Sequence, residues 1–379
     1  MEKIYISTRD LSELFLNDEL RKDYRSVQAE NRKRNDLVLK ERALEGCLIL
    51  PEELFFADLE ILTSLLEEAH SSKRSFVAYH DDSTLFIFLT KERAAGMEIS
   101  EKTANSEDLL RLLESDSDLE KLSLDEDIAY RFDSVRGLSM AAESLNAERV
   151  EGFLRKGVYL RQPSTVSIGP EVTIEDGAVI GSGVVLEGRS HISKNVVVEE
   201  NVTIIDSKIG ASSKIGAGTY IINSEIHEGV NVMSSRIADS VVCKGCNIGP
   251  FAHLRPNSKL GENVKIGNFV EIKNSALGEG TKVSHLSYIG DSDLGSKINV
   301  GCGVVFVNYN GVEKFRSQIE DDVFIGCNAN IVSPVHIGRG AFIAAGSTIT
   351  EDVGEEQLAI ARARQTNKDG WSIKKAKEN

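Results

Sequence analysis

Arg255 follows Leu254 and Lys273 follows Ile272, so two cations occupy matched positions eighteen residues apart. Like charges so matched repel unless an anion joins them, and a phosphate suits an arginine fork beside a lysine point charge. Two solvated surface residues are the other reading, because charged side chains are mostly exposed. A second set is His285, Cys302, Cys327 and Ala345, each two residues after an aliphatic one: Val283, Val300, Ile325 and Ile343. One histidine followed by three small side chains suits a groove for a long, thin ligand such as an acyl thioester carrier. A neutral imidazole at its end is tuned to take a proton near pH 7. A lone histidine in a repeat can equally be a satisfied corner residue. Cys243-x-x-Cys246 has the form of half a zinc or redox site, but no second pair or well-spaced histidine goes with it, so no metal is expected.

Whether these residues meet depends on the element that carries them. Ile168, Ile174, Ile180, Leu186, Ile192, Val198 and Ile204 advance in steps of six. Val242 to Ile272 and Ile319 to Ile349 do the same, and the step drops to five at Ile204 to Ile209, Ile272 to Leu277 and Ile289 to Leu294. Such a period is too long for a helix turn and too regular for hairpins. Each hexad supplies one short strand and one corner, and three sides close a coil of 18 residues whose strands pair with the coils above and below. Residues 166–352 then make about ten coils by this solenoid logic. Residues three hexads apart lie over one another, which stacks Lys273 on Arg255. It also stacks the His285, Cys302, Cys327 and Ala345 set, provided that Val307–Arg316 contains a loop of seven extra residues.

The 379 residues suit two or three domains, and 41% apolar with 27% charged residues suits a soluble chain with a real core. No apolar run approaches a membrane span, and the N-terminus lacks a secretory layout, so a cytoplasmic protein without membrane attachment is expected. The net charge of −15 is uneven: residues 1–150 hold 20 Lys+Arg against 33 Asp+Glu, residues 151–379 hold 24 against 26. Nucleic-acid binding needs a basic face and is not expected. Five cysteines without an export signal read as thiols. Only three of 31 glycines precede residue 150, so two architectures are joined. Before the repeats, Lys3–Ser7 reads as a strand, Leu11 onward as a helix, Ser75–His80 and Thr84–Leu89 as a hairpin, and Ser106–Leu124 as an acidic helix. Residues 138–155 read as a connecting helix that Gly157 ends.

Several stretches carry a resemblance: Gly249-Pro-Phe-Ala-His-Leu-Arg255-Pro, Gly267-Asn-Phe-Val-Glu271-Ile-Lys273-Asn, His285-Leu-Ser-Tyr288-Ile-Gly-Asp, Asn308-Tyr309-Asn-Gly, Ala344-Ala345-Gly and the tail Ala361 to Trp371. Over about residues 135–372 the chain resembles the hexapeptide-repeat acetyltransferase part of the bifunctional bacterial enzyme family that makes UDP-N-acetylglucosamine. The resemblance implies a left-handed parallel β-helix and a homotrimer, with sites between neighbouring chains closed by a partner's tail. It implies acetyl-CoA as cosubstrate and glucosamine 1-phosphate as acceptor, with no metal required. His285 would be the general base and Glu271 the partner that orients its imidazole. Arg255 and Lys273 would hold the acceptor's phosphate, with Tyr288 and Asn299 on the sugar. Asn308, Tyr309, Ala345 and Arg362 would contact acetyl-CoA, together with Cys302 and Cys327, which stand where that family usually has alanine and serine.

The expected organisation is a truncated or degenerate α/β domain of unknown role over 1–137, a linker helix over 138–160, a β-helix over 161–352 and a C-terminal tail over 353–379. The Gly-rich loop of a uridyltransferase has no counterpart in the first part, which is expected to lack that activity and whose acidity suits solubility or a protein partner. Two other functions stay open: N-acylation of another or a nucleotide-linked amino sugar, and a non-catalytic trimeric scaffold. A zinc hydrolyase built on the same repeats needs three histidines in one column, and His191, His227, His253, His285 and His336 share none.

Overall fold

The computed structural model describes residues 134–371 throughout and, before them, residues 2–6, 25–33, 47–51, 54–56, 59–80, 83–89, 93, 113, 116, 118–124 and 129–131. The chain divides into two compact units, Met1–Arg149 and Val150–Asn379. Among the described residues no helix is long and apolar enough to cross a membrane.

The first unit is a small mixed α/β structure. Strand β3 (Leu54–Phe56) pairs antiparallel with Ala129–Arg131, while strands β1 (Glu2–Ile6), β2 (Cys47–Pro51), β4 (Phe76–His80), β5 (Ser83–Leu89) and β6 (Glu120–Ser123) form one sheet in the order β1-β2-β5-β4-β6. Its core gathers Phe56, Phe76, Phe86 and Phe88 with Leu62 and Leu66 of the helix Leu59–Ser71. The Phe86 ring meets Phe56 edge-on at 5.3 Å. The expected hairpin is present, with Tyr79 opposite Thr84 and His80 opposite Ser83. The helical spacing from Leu11 falls outside the described residues up to 25–33, which are helical. The acidic helix is corrected at its end. Glu120–Ser123 is a strand parallel to β4, because the free edge of β4 accepts its backbone while Leu119 and Leu124 bury their side chains. Most of the remainder of Ser106–Leu124 lies outside the described residues.

A helix, Val135–Arg155, spans the boundary, and Gly157 ends it with φ +86°, a backbone state that glycine takes without a Cβ clash. Val150, Phe153 and Leu154 of its last turns pack on the first coil of the second unit.

The second unit is the expected left-handed β-helix. Three parallel sheets of twelve, eleven and ten strands form its faces, giving about eleven coils rather than ten. The extra strands are Tyr159–Leu160 and Leu358–Ala359, which lie outside the stretch counted by hexads. One inward side chain per strand fills the interior: Ile266, Val283 and Val300 on the twelve-strand face, Leu254, Ile272 and Ile289 on the eleven-strand face, Leu260, Leu277 and Leu294 on the ten-strand face. The strand after Phe306 begins only at Ser317, so the extra residues leave the coil between the eleven- and ten-strand faces.

The five-residue steps have a local cause. Each shortened corner between those two faces carries an Asp or Asn in left-handed backbone, then a buried serine: Asp206-Ser207, Asn223-Ser224, Asp239-Ser240, Asn274-Ser275 and Asp291-Ser292. Short polar side chains tolerate that backbone. Each serine hydroxyl donates to the carbonyl two residues back, and those of Ser207, Ser224 and Ser275 also accept an amide from the next coil, as Ser224 does to Ile222 O (2.7 Å) and from Ser240 N–H (3.1 Å). Ser224→Ala should therefore leave a buried amide unsatisfied and cost about 1–3 kcal/mol in chemical denaturation, whereas Ser224→Thr should retain most of it.

Candidate functional site

The β-helix brings chemistry to two neighbouring edges. At the corner between the twelve- and eleven-strand faces, His285, Cys302, Cys327 and Ala345 stack on successive coils. Backbone hydrogen bonds fix that register: Gly303 N–H to His285 O (3.4 Å), Asn328 N–H to Cys302 O (2.8 Å) and Gly346 N–H to Cys327 O (2.9 Å). The tail reaches the same edge. Thr348 N–H donates to Ala361 O at 3.1 Å, and a Cβ on Gly346 would lie 3.7 Å from Cδ of Arg362.

The His285 ring is exposed, and its Nδ1 lies 2.5 Å from Oδ1 of Asn268, its ladder neighbour one coil before. An amide oxygen only accepts, so Nδ1 carries the proton and the Nε2 lone pair is left to act as a base. Within this chain Glu271, expected to orient that ring, has another partner. Glu271 lies on the eleven-strand face between His253 and Tyr288, and its Oε1 accepts from Nη1 of Arg255 at 2.7 Å. The physical reason is phase: Glu271 precedes an inward residue, while His285 sits two past one, so they occupy a face and a corner. Asn268 shares the corner phase of His285, a signal that the repeat count already contained.

On the eleven-strand face Arg255 and Lys273 are neighbours, as their spacing requires, and a third cation joins them. Lys314, from the extruded loop, stands beside the Lys273 ammonium and holds it below the usual lysine range, helped by burial and by Arg255, while Asp291 opposes the shift. Glu271 raises Arg255. His253, beside Arg236 and Arg255, is pushed down mainly by burial. Lys314 lies outside the repeat phase, so no column could have pointed to it.

Gly290 pairs with Lys273, and a Cβ there would lie 2.4 Å from the Tyr288 hydroxyl and 2.8 Å from Nδ2 of Asn308. The missing side chain lets Tyr288 and Asn308 converge beside Lys273. Asn308 is buried and donates to Asp291, which also accepts from Asn274 at 2.5 Å; this expected cosubstrate contact is thus spent at least partly on an inter-coil ladder. Tyr309 is exposed, with its hydroxyl on Gly311 O at 2.6 Å. Asn299 is apart from Arg255, Lys273 and Tyr288: it projects from the twelve-strand face between Lys282 and Phe324. As for Cys243 and Cys246, Cys246 is buried, donates to Gly261 O at 3.0 Å, and has its thiol pushed up to about 11 by burial. Among the described residues no group of three or more His, Cys, Asp or Glu is placed to hold a metal.

The loop itself is held by a fork. Nε and Nη2 of Arg316 donate to the two carboxylate oxygens of Asp293 at 2.6 and 2.5 Å, and Nη1 donates to Asn274 O at 2.9 Å. Arg316 depresses the Asp293 pKa. A depressed carboxylate contributes stability above its unfolded pKa of about 3.9 and loses it as pH falls through the lower folded value. The protection of residues 308–316 against hydrogen exchange, taken relative to the intrinsic rate at each pH, should therefore be unchanged from neutral pH down to about 4 and fall only in more acid solution. Arg316→Ala should raise exchange in the same segment already at neutral pH.

A family model described as bacterial transferase hexapeptide (six repeats) matches residues 239–274 and 316–351. A bifunctional protein GlmU of Exiguobacterium sp. is 44% identical over 235 residues, 62% of this chain and 48% of the relative. A second, from Latilactobacillus sakei, is 48% identical over 238 residues, again 62% and 48%. The chain thus spans about half the length of these relatives. A solved UDP-N-acetylglucosamine acyltransferase of Francisella novicida is 19% identical, covering 54% of this chain and 66% of that one, with a TM-score of 0.32. The chain carries bacterial transferase hexapeptide repeats at residues 239–274 and 316–351 and, over about 235 residues, is similar to bifunctional GlmU proteins.

Proposed function

We propose that the second unit is an acyltransferase that moves the acetyl group of acetyl-CoA to the amine of glucosamine 1-phosphate, yielding N-acetylglucosamine 1-phosphate for UDP-N-acetylglucosamine in the cytoplasm. The observation that carries the acceptor is the cation trio: Arg255, Lys273 and Lys314 converge where Tyr288 offers a hydroxyl, and Lys273 is destabilised as an ammonium by its neighbour. A phosphate dianion relieves that repulsion, and free glucosamine has no group to do so. A nucleotide-linked amino sugar also brings phosphates, but the trio suits a terminal one.

In this reading the amine attacks the thioester carbonyl, and Nε2 of His285 takes the proton that the nitrogen loses. The carbon–sulfur bond breaks and the CoA thiolate leaves. Asn268 fixes the ring, as a base must be held in one tautomer. Cys302, Cys327 and Ala345 continue from His285 as a strip of small side chains for the pantetheine arm, with Arg362 beside its far end to meet phosphates and Tyr309 on the loop. Asn308 shapes the pocket through Asp291, and no metal takes part.

The unit works as a homotrimer in this proposal. Asn299 and Tyr288, both assigned to the sugar, face different sides of one chain, so a site that uses both needs a neighbouring copy. The same edge bears Phe251, Phe269 and Leu286, each more than half exposed, with the two phenylalanine rings stacked at 5.4 Å. A second copy would cover that apolar strip. A non-catalytic scaffold would use the strip but has no need of three converging cations.

His285→Ala should lower turnover by about 10²–10⁴, the usual contribution of a general base. Arg255→Ala should raise the Michaelis constant for glucosamine 1-phosphate and leave that for acetyl-CoA near its original value. Near-original turnover in the first variant would remove the proposed mechanism, and an unchanged constant in the second would remove the phosphate assignment.

A further inference from the structure

We propose that Cys302 and Cys327 are a modification site, a thiol pair that small-molecule disulfides oxidise to an intramolecular bridge across two coils. The bridge follows from the column itself. Gly301 N–H donates to Ile325 O and Asn328 N–H donates to Cys302 O, both at 2.8 Å, so the two cysteines are bracketed into direct register. Neighbouring coils lie about 4.8 Å apart, and disulfides form across Cα separations of about 4.4–6.8 Å. Coils approach here as closely as they do along the rest of the β-helix. A Cβ on Gly301 would lie 2.6 Å from Cys327 N and 2.9 Å from its Cα, which only glycine permits. The residues that follow the cysteines, Gly303 and Asn328, both hold left-handed backbone, so the corner is a turn whose side chains face outward.

An exposed member separates this pair from the other thiols of the β-helix, of which Cys243 is half-buried and Cys246 buried. Cys327 is exposed and Cys302 half-buried, whereas Cys246 is buried on a carbonyl, three residues along the chain from Cys243. Cys327 is therefore the first nucleophile. Its thiolate attacks one sulfur of a low-molecular-weight disulfide, one thiolate leaves, and a mixed disulfide remains on Cys327. The Cys302 thiolate then attacks the Cys327 sulfur and displaces the second small thiolate. The two protein thiols lose two electrons and two protons, and the small disulfide is reduced to two thiols.

The consequence for activity rests on the function proposed above, since Cys302 and Cys327 lie in the strip assigned to the pantetheine arm. A bridge there draws both sulfurs over the strip beside His285 and shuts it, in a compartment where such bonds are transient and regulatory.

The test uses the full chain with glutathione disulfide, read by intact mass, by non-reduced peptide mapping and by thiol release from acetyl-CoA after removal of the oxidant. The expected product has lost two hydrogens, links the peptides of Cys302 and Cys327, and reverts with dithiothreitol. Cys327→Ser and Cys302→Ser should each abolish the two-hydrogen loss. Turnover of the oxidised chain should fall by about a hundredfold, as displacement of a reacting group by an ångström does, and recover on reduction. In Cys327→Ser, which lacks the first nucleophile, the ratio of oxidised to reduced turnover should approach one, whereas Cys302→Ser should keep an unresolved glutathione adduct on Cys327. Stable glutathione adducts without the link, or a bridge to Cys243 or to another chain, would overturn the site. A mapped bridge that leaves turnover unchanged would overturn its effect on the strip. A reduced chain that releases no thiol from acetyl-CoA would defeat the proposed function alone, because the mass and the peptide map decide the bridge without it.

Discussion

Coil-on-coil registry is the constraint on which the second unit depends. Every strand is too short to be stable alone, and each finds its hydrogen bonds only in the coils before and after it. One inward aliphatic per strand makes the registry obligatory, since a slip of one residue would turn an isoleucine to solvent and a polar neighbour into the core. The same constraint that buries Ile272 under Leu254 and Ile289 also lays Lys273 beside Arg255, and Cys302 beside His285. Structure and chemistry are thus set by one repeat.

That is why so much was legible in the sequence. The hexads located the three faces, the five-residue steps located the short corners, and the excess between Phe306 and Ile319 located the extruded loop. The departures have specific causes. Glu271 went to Arg255 because an alternating strand sends neighbours to different places, and a family role carried over residue by residue does not encode which contact forms within one chain. Lys314 and Arg316 escaped notice because an extruded loop obeys no period. In the first unit there was no repeat to count, and Glu120–Ser123 followed the open edge of β4 rather than its own helical spacing.

Electrostatics give the two edges their division of labour. The eleven-strand face collects Arg255, Lys273 and Lys314, and offsets them with Glu271 and the buried Asp291 rather than with one partner for each cation. In the function proposed above, a phosphate on the acceptor would complete that balance. The corner with His285 carries no comparable charge. Its imidazole is held by a neutral amide, which fixes the tautomer. The Arg316–Asp293 fork holds the loop that brings Lys314 from outside the repeat.

The central claim is that this edge joins a phosphate-bearing amine to a CoA thioester, and thiol release from acetyl-CoA measures it most directly when glucosamine 1-phosphate, free glucosamine and a UDP-linked amino sugar are offered side by side. The account predicts release that saturates with glucosamine 1-phosphate and is far slower with the other two. Equal rates with free glucosamine, or no release with any acceptor, would contradict it.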